Sequence, residues 1–482
     1  MVSARALRSH RRTALRAALG GLATAGILEA TTELPSRGRS SPFYHSLADA
    51  WVVPGMRRFL DPETAHGTAL ALAWLAPVHR PSEKEDNLDV EVRLWGGSKG
   101  RENGGGGSNT STSTSATETV FPNPIGLAAG YDKDGTAIGP LLAMGFGFVE
   151  VGSVCLRAQP GNPSPRMFRL VEDEAIINRY GFNSEGADAV EARLRDYRAE
   201  RRNGKGRPWC FSVRETQTQT PPPAGPVGIN LGKNKASDTP LEDYRKLILQ
   251  LGPYADYLVV NVSCPNLSGL RALQSASSLE ELLGGCLEAR DQLAEKETPV
   301  RPLGGNENSG ETPTPSHPPP PHRPPLLVKL SPDLTDEELE NLASVLVRVG
   351  IDGIVVSNTT TTRPEGLLSP HRSQEGGLSG RPLGERSTEC VRLLYAKTKG
   401  SIPIVGVGGV RNGRDAYEKL RAGASLVQVY TGMVYGGPGL VSRIRDEVAG
   451  LMLRNGQKSV QDDVVGIDHP ELFAKRKKEN GP

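Results

Sequence analysis

The chain has 482 residues, 23% of them charged, and its 57 Lys and Arg nearly balance 55 Asp and Glu for a formal net charge of +2. That balance gives no global case for nucleic acid as a partner, and the length suits one large domain with appendages. Five cysteines (Cys155, Cys210, Cys264, Cys286, Cys390) contain no C-x-x-C pair, which argues against a zinc site or a disulfide framework and fits a reducing compartment; no metal site is expected.

In chain order the first feature is an acid-free leader. Arg5, Arg8, Arg11, Arg12 and Arg16 all precede Glu29, the pattern of a mitochondrial transit peptide. The apolar run Ala17–Leu28 that follows is shorter than the roughly 20 residues a membrane span needs. Residues 1–40 therefore read as a targeting and anchoring segment. Residues 41–80 form a separate block, centred on Pro42–Pro77. Phe43, Tyr44, Leu47 and Trp51 recur at helical spacing, and Leu70, Trp74 and Leu75 lie on a second apolar stretch after Asp61-Pro62-Glu63. Two short amphipathic helices of this kind can lie on a membrane surface or pack as a lid on the rest of the protein.

Residues 87–455 form the main body. Residues 96–119, 197–223 and 298–325 are low-complexity stretches that cannot bury a core and are expected to be insertions. Without them, short apolar runs alternate with helical patterns. The expected strands are Ile125–Ala129, Phe148–Val151, Pro226–Asn230, Tyr257–Asn261, Leu326–Leu330, Gly353–Ser357, Ile402–Gly406 and Leu426–Tyr430, preceded by a hairpin of Leu88–Leu94 with Val120–Phe121. Runs this continuously apolar suit strands buried on both faces. Capping boxes are expected at Ser278-x-x-Glu281 and Thr335-x-x-Glu338, and Thr239 before Pro240 marks another helix start. Eight strand–helix units make the fold class α/β, a (β/α)8 barrel of the TIM type. Residues 456–482 read as a C-terminal tail.

Polar groups recur where the expected strands end, which in such a barrel is the catalytic face. The first strand ends in Ala128-Ala129-Gly130-Tyr131-Asp132-Lys133, where small residues let a flat ring approach the backbone beside a cation. Gly152 ends the second strand, Asn230 the third and Lys329 the fifth. Ser357-Asn358-Thr359 closes the sixth, and Asn178-Arg179-Tyr180-Gly181-Phe182 follows the second. Asn178, Asn230, Asn261, Asn266 and Asn358 converging on one mouth point to a binding ring for a planar polar ligand, since carboxamides both donate and accept without adding charge. The fourth strand runs into Asn261-Val262-Ser263-Cys264-Pro265-Asn266, and a thiol can act as a base near neutral pH. Gly406-Val407-Gly408-Gly409 and Tyr430-Thr431-Gly432 after the last two strands form the usual barrel phosphate site. Phosphate there, with a lysine at strand five, suits flavin mononucleotide (FMN), whose reduced ring Lys329 would stabilise. Cys264 would take a substrate proton on the opposite ring face.

The segments AAGYDKDG, RYGFN, GINLGKNK, NVSCPN, IVVSNTT, GGLSGRPL, GVGGV and LVQVYTG together resemble the dihydroorotate dehydrogenase family, specifically its membrane-associated, quinone-reducing type, from about Phe43 to about Asn455. The resemblance implies a flavin barrel with an N-terminal helical hairpin forming a quinone tunnel. It implies oxidation of dihydroorotate to orotate in pyrimidine biosynthesis, with ubiquinone as acceptor at the mitochondrial inner membrane. FMN would contact Ala128, Ala129, Gly130, Tyr131, Asp132, Gly152, Asn230, Asn261, Lys329, Ser357, Gly380, Gly409, Tyr430 and Thr431. Dihydroorotate would contact Lys133, Asn178, Arg179, Tyr180, Gly181, Phe182, Asn261, Asn266, Asn358 and Thr359. His66, Arg169 and Tyr430 would line the tunnel. One departure concerns the base: Cys264 stands where the quinone-linked type usually has serine, and Leu267 where it usually has a proton-relaying threonine. Cysteine marks the soluble type, which uses fumarate or NAD. The leader and the helical block argue for the quinone-linked type. The other rivals are an FMN barrel that reduces pyrimidine or uridine rings and a phosphate-binding barrel without catalysis. The asparagine set argues against the first, and Cys264 with Lys133 and Lys329 against the second.

Overall fold

The computed structural model describes residues 48–74, 76, 84–96, 117–202, 225–263, 274–295 and 323–480. The leader, Phe43, Tyr44, Leu47, Leu75, Cys210, Cys264, Asn266 and Leu267 lie outside the described residues, as does most of each expected insertion.

The strands are β1 Val92–Leu94, β2 Thr119–Phe121, β3 Ile125–Leu127, β4 Phe148–Val154, β5 Met167–Leu170, β6 Ala175–Asn178, β7 Val227–Leu231, β8 Tyr257–Asn261, β9 Leu326–Leu330, β10 Gly353–Val356, β11 Gly377–Gly380, β12 Ile404–Val407 and β13 Leu426–Val429. Eight of them close a barrel in the order β10-β12-β13-β3-β4-β7-β8-β9, and every pairing around it is parallel. All residues of β7, β8 and β9 are buried, because helices cover the outside and side chains fill the inside. That double burial is why these strands lack hydrophobic alternation. The hairpin is present as the antiparallel pair β1–β2, with Val92 opposite Phe121. Phe121 packs edge-on to Phe148 at 5.2 Å and closes the barrel's N-terminal end.

The helices are α1 Val53–Phe59, α2 Pro62–Ala73, α3 Ile138–Ala143, α4 Ala187–Arg202, α5 Pro240–Leu251, α6 Ala276–Glu295, α7 Asp336–Val349, α8 Gly384–Lys397, α9 Gly413–Arg421, α10 Thr431–Gly436, α11 Leu440–Arg454, α12 Val460–Asp463 and α13 Pro470–Asn480. Helix α7 starts with the expected capping box, Thr335 Oγ1 accepting from Glu338 N at 3.2 Å and Glu338 accepting from Thr335 N at 2.7 Å. The second expected box is displaced: α6 already begins at Ala276, so Ser278 lies inside its first turn. Helix α4 runs through Arg202, past Tyr197 where an insertion was expected to begin.

Two features of the fold were not anticipated. A second sheet, β5-β6-β11, is antiparallel throughout and joins segments distant in sequence, with Leu378 opposite Ile177 and Phe168 opposite Ile177. And the C-terminal stretch is no loose tail: Asp89 N donates to Lys458 O at 2.8 Å, Val460 N donates to Asp89 O at 2.9 Å, and Val460 and Val464 are buried. The chain's end thereby locks the strand that leads into β1.

The N-terminal block forms a helical pair at the barrel's edge. Asp61 caps α2 by accepting from Glu63 N and Thr64 N, which explains why the chain turns at Asp61-Pro62. Two ion pairs tie the block to the barrel: Glu63 with Arg166 at 2.5 Å, and Asp49 with Arg443 of α11. Of the second apolar stretch, Leu70 packs against the core and Leu72 lines a cavity. Small residues of α2, Ala65, Ala69 and Ala73, face the same cavity. Trp51 and Phe59 point outward, 74% and 47% exposed.

Candidate active site and adjoining apolar tunnel

The C-terminal ends of the barrel strands surround a cavity of about 1050 Å³. From β3 come Ala128, Ala129, Gly130 and Lys133; from β8, β9 and β10 come Asn261, Lys329 and Ser357-Asn358-Thr359. The sheet β5-β6-β11 supplies Asn178, Tyr180, Gly181, Phe182 and Gly380, and β12 and β13 lead into Gly408-Gly409 and Tyr430-Thr431. The structure thus gathers most of the residues singled out from sequence at one mouth.

Four side chains singled out from sequence point elsewhere. Arg179 turns outward and donates to Gln374 Oε1 at 3.1 Å and Pro165 O at 3.0 Å. Asp132 is buried as a turn anchor, accepting from Thr136 N and Ala137 N, each at 2.8 Å. Tyr131 lines the neighbouring cavity. Asn230 lies one layer beneath the mouth, where its amide supports Asn261. Gly152, a fifth expected contact, has only backbone to offer: its carbonyl accepts from Gly130 N at 2.6 Å.

Beneath the mouth runs a polar network. Asn261 Nδ2 donates to Ser153 Oγ at 3.0 Å and Asn230 Oδ1 at 3.1 Å. Asn230 Nδ2 in turn donates to Glu150 Oε1 at 2.8 Å. Glu150 Oε2 accepts from Gln428 Nε2 at 2.6 Å and from Tyr257 OH at 3.3 Å. Burial and the Glu150 charge hold the Tyr257 phenol well above its ordinary value, so it remains a donor. Asn358 Nδ2 donates to Ser263 Oγ at 2.9 Å, which pins the chain as it leaves β8. The network fixes amide orientations before any ligand arrives.

Asn183, the last residue of the RYGFN motif, lines this site, and Glu150, Gln428 and Ser379 belong to it but were not named from sequence. The signal was present in two of them: a charge inside Phe148-Val149-Glu150-Val151 and an amide inside Leu426-Val427-Gln428-Val429 interrupt strands that are otherwise wholly apolar.

Lys133 lies with Nζ 3.8 Å from the centre of the Tyr180 ring. Burial pulls its ammonium down to about 8, while Glu63 opposes the shift and Arg166 assists it. Arg166 stacks on the same Tyr180 ring at 4.9 Å and pairs with Glu63 of α2. The N-terminal helices therefore reach the charge state of the mouth.

The residues fit a flavin. Gly408 and Gly409 adopt φ of +118° and +75°, and a Cβ on Gly409 would sit 2.1 Å from Gly384 Cα, so this loop presents bare backbone to an anion. Gln428 Oε1 is buried at the cavity wall with no hydrogen-bond partner among the described residues. A flat ring bearing an N–H would satisfy it.

A second cavity, about 870 Å³, lies between the helical pair and the barrel. Val52, Val53, Met56, Leu72, Leu141, Met144, Met167 and Met433 make it apolar, and His66 and Arg169 lie in its wall. His66 Nε2 is 2.7 Å from Tyr131 O; a carbonyl can only accept, so Nε2 carries the proton. Burial, with Lys133 nearby, drags the imidazole down to about 4, so it is neutral near pH 7. Arg169 donates to Leu60 O. The two cavities meet at one wall: Tyr430 lines the mouth, stacks on His66 at 6.3 Å, packs edge-on to Tyr131 at 5.7 Å and donates to Gly130 O at 3.3 Å.

A strand-end site built of amides, lysines and a glycine cradle, beside a separate apolar tunnel, defines a barrel with two ligand cavities sharing a wall. The dihydroorotate dehydrogenase family profile matches residues 111–452, and the chain belongs to that family. It is 42% identical over 468 residues to the mouse protein named dihydroorotate dehydrogenase (quinone), mitochondrial, covering 96% of this chain and 99% of that one. It is 40% identical over 410 residues to the Rhodospirillum rubrum dihydroorotate dehydrogenase (quinone), covering 85% and 92%. Among solved structures, the Eimeria tenella enzyme in complex with ferulenol superposes with a TM-score of 0.68 at 37% identity, covering 87% of this chain and 99% of that chain.

Proposed function

We propose that the protein oxidises dihydroorotate to orotate with FMN bound at the strand ends and passes the electrons to a quinone in the apolar tunnel, a step of pyrimidine biosynthesis at the mitochondrial inner membrane. The observation that carries this reading is the direct contact of Tyr430, in the wall of the polar cavity, with Tyr131 and His66, in the wall of the apolar one. The glycine cradle at Gly408-Gly409 and Thr431 would hold the phosphate, Gln428, Ser357 and Lys329 the ring. A flavin bound there would supply a hydride acceptor for the substrate and an electron donor, one or two electrons at a time, for a quinone. Lys133, Asn178, Tyr180–Phe182, Asn358 and Thr359 would hold the substrate's carboxylate and ring edges, with Asn261 and Asn266 beside them. Cys264 would remove the substrate's C5 proton. Mitochondrial relatives, including those of mouse and Arabidopsis thaliana, support the location. Among the described residues no helix is long and apolar enough to cross a membrane. The exposed Trp51 and Phe59 on the helical pair suit contact with a membrane surface instead.

Cys264 favours a second reading, the soluble type that reduces fumarate or NAD. The deciding experiment gives the purified, flavin-replete protein dihydroorotate with a short-chain quinone, fumarate and NAD in parallel; turnover with quinone alone is expected. Turnover with fumarate or NAD alone would reassign it.

Two further outcomes are expected. Deleting residues 1–40 should release the protein from membranes while leaving oxidation by a soluble quinone largely intact; loss of flavin on that deletion would contradict the division of labour. Lys133 is charged below about 8 and neutral above it, so orotate affinity, read from flavin absorbance, should fall as pH rises through that value. In Glu63→Gln the fall should begin at lower pH, because the carboxylate that holds the proton on Lys133 is gone. Coincident titrations for the two proteins would remove Lys133 from the substrate's carboxylate.

A further inference from the structure

Lys419 is a buried lysine, 1% exposed, at the floor of a cleft that it lines together with Gly384, Thr388, Gly408 and Gly409. Its Nζ donates to Ser387 Oγ at 2.5 Å, Thr388 Oγ1 at 2.8 Å and Gly384 O at 3.4 Å. All three acceptors are neutral, and among the described residues no carboxylate lies within ion-pair distance of it. A buried cation left with neutral acceptors is costly unless a counter-charge is nearby. The acceptors themselves identify where that charge would be. Gly384 packs against Gly409, whose Cβ position would fall 2.1 Å from Gly384 Cα. Ser387 Oγ also bonds Gly408 O at 3.0 Å, and a Cβ on Gly406 would lie 3.3 Å from Lys419 Cδ. Lys419 therefore underlies the Gly406-Val407-Gly408-Gly409 segment of the phosphate cradle and bonds the first turn of α8, which abuts it.

We propose that Lys419 is a positioning residue and buried counter-charge for the phosphate of the cofactor, acting through Gly384 and Ser387 on the Gly408-Gly409 loop. It gives the protein its preference for FMN over flavins without a phosphate. The proposal rests on the FMN reading. Burial alone pulls the Lys419 ammonium down to about 7, with Asp415, Cys390 and Glu418 opposing. Arrival of a phosphate dianion would reverse that and draw a proton onto Lys419. The other charged groups lining this cleft, Arg381, Glu385, Glu389, Arg392, Arg411, Asp415 and Glu418, are the same in wild type and in Lys419→Met, so comparing the two proteins isolates Lys419.

The test uses the full chain, its flavin exchanged by dialysis, and measures equilibrium affinity for FMN and for riboflavin by fluorescence. In Lys419→Met, FMN affinity should drop by about 10- to 100-fold, the loss of one charge interaction at intermediate dielectric, while riboflavin affinity changes less than threefold. Equal losses for both ligands would make Lys419 merely structural and overturn the proposal, as would no loss for either. Should Lys419→Met fail to fold, the wild-type protein decides. Between pH 7 and 9, where the phosphate is already dianionic, FMN affinity should weaken with rising pH and riboflavin affinity should not. Parallel pH profiles for the two ligands would overturn it. Wild-type protein that carries no FMN at all would instead sink the cofactor reading on which this rests.

Discussion

Replacing Cys264 by alanine is expected to slow reduction of bound flavin by dihydroorotate about 10²–10⁴-fold, the contribution typical of a positioned general base, while FMN stays bound. The thiol has a reference pKa of about 8.5, far below that of a serine hydroxyl, so a cysteine can accept the C5 proton as hydride leaves C6 without a relay. The strand before it ends in a fixed hydrogen-bond set. Asn261 accepts from Ser263 N and Oγ at 3.3 and 3.2 Å, and Asn358 donates to the same Ser263 hydroxyl, so the residue immediately before Cys264 is fixed at the mouth. Cys264→Ser should fall well below a natural serine enzyme, because Leu267 offers no hydroxyl to pass the proton on. Adding Leu267→Thr to Cys264→Ser should recover part of the loss, a non-additive pair. Stopped-flow measurement of the flavin's absorbance on mixing with dihydroorotate reads all of these. Near-normal reduction in Cys264→Ala would show the thiol to be a packing residue.

How much of this was legible beforehand varies by element. The barrel strands could be read because burial on both faces leaves runs such as Leu326-Leu327-Val328-Lys329-Leu330 with one polar residue, at the end where chemistry happens. Strands β5, β6 and β11 could not. Gly377–Gly380 has neither bulk nor alternation, and its partner β6 lies far off in sequence, so only the closed tertiary structure pairs them. The site's first layer was legible because amides and glycines cluster just past strand ends. Its support was less so: Glu150 stands out as a charge in an apolar strand, but Lys419 sits on a helix that looks ordinary, and the importance of both comes from what they touch. The tunnel was legible as a separate block but not in its facing. Helix α2 lines the cavity with Ala65, Ala69 and Ala73 beside Leu72, and the alanines are passed over when a hydrophobic stripe is read from the largest side chains. Arg179 and Asp132 illustrate the limit of motif reading, since adjacent residues in one turn face opposite ways and only some can reach a ligand.

Gly409→Ala is expected to yield protein with little or no bound FMN. Gly409 sits at φ +75°, a conformation that costs a non-glycine residue about 1–2 kcal/mol. The added methyl would also lie 2.1 Å from Gly384 Cα and 2.6 Å from Gly384 N, contacts that only a backbone shift can relieve. Helix α8 starts at Gly384 and is held from below by Ser387, Thr388 and Lys419, so the cheaper movement is of the Gly408-Gly409 loop, away from the phosphate. Strain of a few kcal/mol placed on the binding geometry corresponds to roughly 10²–10³-fold in affinity. Gly350→Ala is the control. Gly350 has almost the same φ, +76°, at the C-terminal end of α7, with nothing within 4 Å of its Cβ position. It should lose about 1 kcal/mol of stability and keep its flavin. Flavin content of the two purified variants, with thermal unfolding followed in the presence and absence of excess FMN, separates the effects. Excess FMN should raise the melting temperature of Gly350→Ala as it does the wild type and leave Gly409→Ala nearly unmoved. Stoichiometric flavin in Gly409→Ala would place the phosphate elsewhere.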